Sequence, residues 1–330
     1  MSQRLDYIDI AKGLGIILVV LSHTEHSELM YYTSAFFVPV FFFCSGYTSS
    51  PKDISLGTCF RKQATKLLKP YLFFSLLLLL YFHDFSLRAI GGILYSRYSL
   101  YPFDSGTDIC HFMIIGNYPM WFLTCMVTAY LLYDLLIYYP GFQYFLLCIY
   151  LAITAWESSL SILLQWSLDT APLMAVIMFG GTLVGKYFPD VFKKRKKHWL
   201  VILSFVLYLL LLPFCNDINI SVRMYGYSII TYLLAALTGC IALLYLSRLL
   251  QGTIVGKGLQ RIGINSLTIF SIEIPFILLG KELSNHILPE MPSIQTTVIT
   301  SFFQLIIALI GGYLLSDLLH KNKYIRKIVF

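Results

Sequence analysis

Apolar runs of helical length recur along this chain from residue 8 to residue 318, and no polar block between them is long enough to fold alone. A helix needs about 20 apolar residues to cross the hydrocarbon of a bilayer. Within that layer every backbone N–H and C=O must be satisfied inside the chain, which makes the helix the natural spanning element. Of the 330 residues, 58% are hydrophobic and 12% charged, about half the charge of an ordinary soluble domain. These values exclude a soluble globular protein. The expectation is an all-α polytopic membrane protein, a single integral domain over residues 1–330, with about ten transmembrane helices in one bundle.

Charged, Gly and Pro punctuation sets the spans at residues 8–23, 34–48, 66–83, 119–138, 142–156, 171–188, 198–214, 226–247, 264–280 and 295–318, of which the second and fifth are short. The sidedness of Lys and Arg tests this partition, because cytoplasmic loops carry an excess of both. With the N-terminus inside, only Arg88, Arg97, Arg223 and Lys281 of the 24 basic residues fall outside. Both termini are then cytoplasmic. The net charge of +7 therefore reports topology and contact with membrane lipid rather than a nucleic-acid partner, and the basic run 193–197 reads as a topology anchor. Asp6 and Asp9 precede the first run and no small-x-small site closes it, as expected of a retained helix rather than a signal peptide. The seven cysteines are odd in number and form no CxxC pair, which argues against a zinc site and against a complete disulfide set. No metal is expected.

The first span carries two ionisable groups, Lys12 and His23, roughly 16 Å apart along a helix. Ionisable side chains within a membrane are costly and are usually kept for a function. Taken alone, His23 also reads as an interfacial histidine bonded to a neighbouring carbonyl. Residues 36–47 (FFVPVFFFCSGY) pack aromatics around Pro39 and end in Ser45, Gly46 and Tyr47; proline opens the backbone ladder and glycine admits a close neighbour, although a kinked helix facing lipid has the same composition. Arg61, Lys62, Lys66 and Lys69 precede Pro70. Lys62, Lys66 and Lys69 share a helix face by their spacing, as suits either phosphate binding or topology control. On the outer side, the loop after the third span carries Asp84, Asp104, Asp108 and His111, and later connections carry Glu157, Asp169, Glu282, His286 and Glu290. Carboxylates and tyrosines suit a neutral polyhydroxyl ligand, and each of these residues alone also reads as ordinary solvated loop.

Three stretches taken together resemble the membrane acyltransferase 3 family: D-x-x-K-G-x-G-I-x-x-V-V-x-S-H over residues 9–23, F-x-x-P-x-F-F-F-x-S-G-Y over residues 36–47, and basic residues before Leu67-Leu68-Lys69-Pro70-Tyr71. The likeness is greatest to the family's fucose 4-O-acetylase-like branch. It extends to Trp121-Phe122-Leu123, Leu168-Asp169 and Ile262-Gly263-x-Asn265-Ser266-Leu267, and so covers nearly the whole chain. The resemblance implies ten helices and transfer of an acyl group, commonly acetyl from acetyl-CoA, to hydroxyls of extracytoplasmic carbohydrates, here at a bacterial inner membrane.

The family's motif of a basic residue, ten positions and a histidine falls on Lys12 and His23. Most relatives have arginine at the first place, and lysine acts there as a point charge without the bidentate fork. The second basic motif falls on Lys66 and Lys69 without its usual Arg-x-Arg form, and Glu273 stands where relatives of this branch often have histidine. On this resemblance His23 is expected as general base, with Glu273 or Asp169 orienting it. Lys12, Arg61, Lys62, Lys66 and Lys69 are expected to hold the coenzyme, and Ser45, Tyr47, Trp121, His111 and Asn265 to meet the substrate. Two other classes compete: a transporter or flippase of lipid-linked sugar or polysaccharide, and a non-catalytic relative in a glycan-assembly complex.

Overall fold

The apolar runs become helices, and Ser, Thr, Gly and Pro residues decide where each one stops. The computed structural model describes residues 5–24, 28–49, 55–101, 115–188, 198–287 and 294–330. In chain order the helices are α1 (Asp6–Ser22), α2 (Glu28–Thr33), α3 (Pro39–Tyr47), α4 (Leu56–Phe82), α5 (Leu87–Tyr95), α6 (Trp121–Tyr138), α7 (Gln143–Glu157), α8 (Ala171–Tyr187) and α9 (His198–Leu211). A two-stranded antiparallel hairpin follows, β1 (Ile218–Asn219) with β2 (Met224–Tyr225), pairing Ile218 with Tyr225 and Asn219 with Met224. The chain ends in α10 (Ile229–Leu250), α11 (Ile254–Ile264), α12 (Ser266–Ser271), α13 (Glu273–Ile287), α14 (Ile294–Lys321) and α15 (Lys323–Val329).

Among the described residues, five helical stretches are long and apolar enough to cross a membrane: 56–82, 118–138, 165–187, 229–250 and 297–321. The chain is an integral membrane protein, and its described residues are mostly helical with one very small sheet. Other expected spans are shorter or interrupted. The second, expected over 34–48, is a nine-residue helix beginning at Pro39, and the ninth, expected over 264–280, is broken at Ile272 between α12 and α13. Pro275 explains that break, because it offers no N–H to the carbonyl four residues back and its ring crowds that carbonyl, whereas the first turn of a new helix tolerates it.

Helix α1 runs through the middle of the bundle, packed on α11, α10, α12 and α3. It crosses α11 at backbone distance: a Cβ at Gly13 would strike the Leu259 carbonyl, and one at Gly263 would strike that of Asp9. The same device joins α3 to α8, where Gly46 lies against the Met178 carbonyl and Gly181 against that of Phe43. Gly13 and Gly46 of the first two motifs are thus occupied by neighbouring backbone, whereas Gly15 meets the Val40 and Phe41 side chains. At its far end α1 stops because the Ser22 hydroxyl bonds the Val19 carbonyl at 2.6 Å and the Thr24 hydroxyl bonds that of Leu21 at 2.8 Å, which draws the last carbonyls away from a further turn.

Candidate active site

His23 is the residue that closes α1, with φ −100° and ψ 0°. That cap turns its ring out of the helix and into a cavity of about 640 Å³. Lys12, three turns earlier on the same helix, lines the same cavity, so one continuous space joins the two groups. Among the described residues lining it, Asp9, Lys12, His23 and the Tyr118 phenol carry the ionisable groups. Between its ends the wall is aromatic. Phe41, Phe42, Trp121 and Phe270 all meet the Phe122 ring edge to face, with centroids 5.3–6.4 Å apart, a geometry that the ring quadrupoles favour. Small hydroxyls interrupt this collar: Ser45, Ser34, Ser22 and Ser266 line the cavity.

Behind the histidine stands a carboxylate. Glu273 Oε1 is 2.7 Å from His23 Nδ1, with the Glu273 side chain fully buried and that of His23 17% exposed. The contact has the length of a hydrogen bond without its alignment. The break before α13 puts Glu273 there, at the first residue of that helix, where the unpaired N–H groups of a helix N-terminus favour negative charge. The Tyr118 ring meets the imidazole edge on at 5.2 Å; nothing in the sequence around it pointed to that role.

The other expected residues are distributed more widely. Ser45 and Trp121 line the cavity. Tyr47 shares a hydroxyl contact of 3.0 Å with Tyr7. Asn265 sits at the bend between α11 and α12, donating to the Arg261 carbonyl and accepting from the Ser316 hydroxyl, both at 2.7 Å. Neither Tyr47 nor Asn265 is among the described residues lining the cavity. Arg61, Lys62 and Lys66 line a separate shallow groove with Thr58, Thr65 and Phe330, and Lys69 reaches the Lys327 carbonyl of α15 at 3.4 Å. Their helix still meets the cavity through Leu67. His111, Asp104 and Asp108 lie outside the described residues.

Asp169 does not accompany Glu273 at the histidine. It is fully buried at the entry to α8 and paired with Arg97 and Arg223, which along with Glu157 are buried as well. Sequence reasoning did not assemble this cluster, although Arg97 and Arg223 stood out as two of only four basic residues expected outside. An unpaired charge so deep would be strongly destabilising. Mutual neutralisation explains how two arginines persist at such depth. Among the described residues no group of three His, Cys, Asp or Glu side chains comes together to hold a metal ion.

A membrane bundle with one cavity joining a lysine to a histidine–carboxylate contact is an arrangement suited to group transfer. The model of the acyltransferase 3 family, an acyltransferase domain, matches residues 5–321. The chain therefore belongs to this family and is a membrane acyltransferase. No curated protein matches it.

Proposed function

We propose that the chain is an O-acetyltransferase carrying acetyl from cytoplasmic acetyl-CoA to a hydroxyl of an extracytoplasmic sugar or surface polysaccharide, with His23 as general base. The observation that carries this reading is the single cavity lined by both Lys12 and His23, with Glu273 behind the imidazole. A sugar hydroxyl is a poor nucleophile until a base takes its proton as it attacks. With Nδ1 facing the carboxylate, the Nε2 lone pair is the one available to the acceptor. The hydroxyl proton passes to Nε2 while the alcohol oxygen bonds to the thioester carbonyl carbon. The carbon–sulfur bond then breaks, and the leaving thiolate takes the proton from the imidazolium as coenzyme A thiol. Glu273 stabilises the imidazolium in between.

Lys12 offers a point charge to the donor's carbonyl or phosphate oxygens. The aromatic lining suits the donor's largely apolar arm. Arg61, Lys62, Lys66 and Lys69 meet the nucleotide phosphates where the donor leaves the cavity beside Leu67, one helix face from their groove. Ser45 and Trp121 contact the substrates along the way. The same reading gives ten spans in one domain over residues 1–330, both termini in the cytoplasm, and residence in a bacterial inner membrane; the distribution of Lys and Arg supports it.

The test is mass spectrometry of surface glycans from cells carrying the wild-type chain, His23→Ala or no copy of the gene, with membrane insertion checked by surface labelling. The wild type is expected to add the mass of one acetyl group. His23→Ala is expected to lower that modification by roughly 10²–10⁴-fold, and equal acetylation in all three strains would refute the reading.

A further inference from the structure

The hairpin 218–225 forms part of the cavity wall, contributing Ile218, Asn219, Ile220 and Ser221. It is short, two residues per strand, and a hairpin of that size does not hold its shape alone. Its support is the buried ion cluster. Arg97, 1% exposed, uses all three guanidinium nitrogens. Nε donates to the Leu164 carbonyl at 3.1 Å, Nη1 to the Ser221 carbonyl at 2.7 Å, and Nη2 to Asp169. The guanidinium also lies over the Trp121 ring at 5.8 Å, so one side chain braces two cavity walls from behind. Arg223, within the hairpin, donates to the carbonyls of Glu157 and Leu160 and faces the other Asp169 oxygen at 3.6 Å. It does so from a left-handed backbone, φ 62°, which a non-glycine residue keeps only when its surroundings hold it there. Asp169 Oδ2 also accepts from the Leu164 N–H at 3.0 Å.

On the front of this braced wall are two neutral polar groups. The Ser221 N–H and hydroxyl both donate to Asn219 Oδ1, at 3.2 and 2.6 Å. That commits the amide oxygen and leaves Asn219 Nδ2 as a donor and Ser221 Oγ as an acceptor. Such a pair matches an alcohol, which accepts from the first and donates to the second. Among the described residues, the hairpin itself brings no cation to the cavity to favour an anion.

Resting on the acetyltransferase reading, we propose that the hairpin is the wall that recognises the acceptor, with Asn219 and Ser221 hydrogen-bonding hydroxyls of a neutral sugar beside His23. Arg97, held by Asp169, is the positioning residue that sets it. Asp169 then acts through Arg97 rather than on the imidazole.

The full chain in lipid nanodiscs tests this with a panel of neutral methyl glycosides. Asn219→Ala and Ser221→Ala are expected to raise the acceptor KM roughly tenfold with the acetyl-CoA KM within about twofold, a split that general loosening would not produce. Arg97→Lys keeps the buried charge but not the planar fork. It is expected to show the same split and faster amide hydrogen exchange in 218–225, with exchange in α1 unchanged. Wild-type exchange in 218–225 is expected to slow when the glycosides are added, and Asn219→Ala is expected to lose that protection. If glycosides are acetylated while the hairpin is neither protected nor sensitive to these variants, the wall is overturned and the acetyltransferase stands. If the hairpin is protected but no glycoside is acetylated, the wall stands and the acetyltransferase reading falls. Neither protection nor acetylation overturns the wall, and a parallel change in donor and acceptor KM does so too.

Discussion

The two buried carboxylates expected beside His23 have different partners. Glu273 has the imidazole at 2.7 Å, and Asp169 has two guanidiniums. The sequence offered both without choosing, because residue 169 precedes the sixth span, residue 273 lies within the ninth, and only packing brings one of them to residue 23. Lys12 and His23 were legible as a pair, since both lie on one helix and a rise per residue fixes their separation. Glu273→Gln retains the shape but not the charge, and is expected to lower kcat by about 100-fold or more while leaving the acetyl-CoA KM unchanged in steady-state assays. The ion cluster makes its own prediction. Glu157, the last residue of α7 and one beyond the expected fifth span, has its carboxyl pushed up to about 7 by burial and by the neighbouring Asp169 charge, against the opposing pull of Arg223 and Arg97. Between the ordinary carboxylate range and neutrality the folded chain therefore keeps a proton that the unfolded chain has lost. Stability contributed by this group falls as pH rises through that window and is level above it. Glu157→Gln removes the dependence, so its melting temperature relative to wild type is expected to rise by on the order of 5 °C between pH 5 and pH 7.5.

Helix ends and breaks place the reacting groups, and this was the least legible layer. Hydropathy reads residues 264–280 as one span because the apolar residues around Glu273 outweigh it; the single missing N–H of Pro275 is what parts α12 from α13. Pro275→Ala restores that donor. A continuous helix carries Glu273 away from the imidazole, and the expected result is a loss of activity comparable to that of Glu273→Gln with no loss of thermal stability. The glycine motifs were legible as places of close approach but not as to what approaches. The structure brings backbone from α11 and α8 to them. Gly46→Ala would drive a methyl into the Met178 carbonyl and is expected to cost about 1–3 kcal/mol, read as a lower melting temperature. Gly57→Ala, with open space around it in the first turn of α4, is the matched control and is expected to be neutral or slightly stabilising.

At the scale of the whole molecule, composition and charge made the helical membrane class plain, because a lipid environment constrains every residue in the same way. The cavity was not legible, since its walls come from α1, α2, α3, α4, α6, the hairpin, α11 and α12 among others, and no local pattern records which helices leave space between them. A bilayer is also an electrical insulator, and on the proposed reading a chain that admits a coenzyme from one side and an alcohol from the other would interrupt the layer that maintains the cell's voltage. The rings gathered on Phe122 then take on a second duty as a gasket, offering neither charge nor hydrogen-bonded chain to carry an ion when no substrate fills the channel. Phe122→Ala is expected to make empty protein in proteoliposomes conduct protons under an imposed potential, whereas bound acetyl-CoA restores the seal.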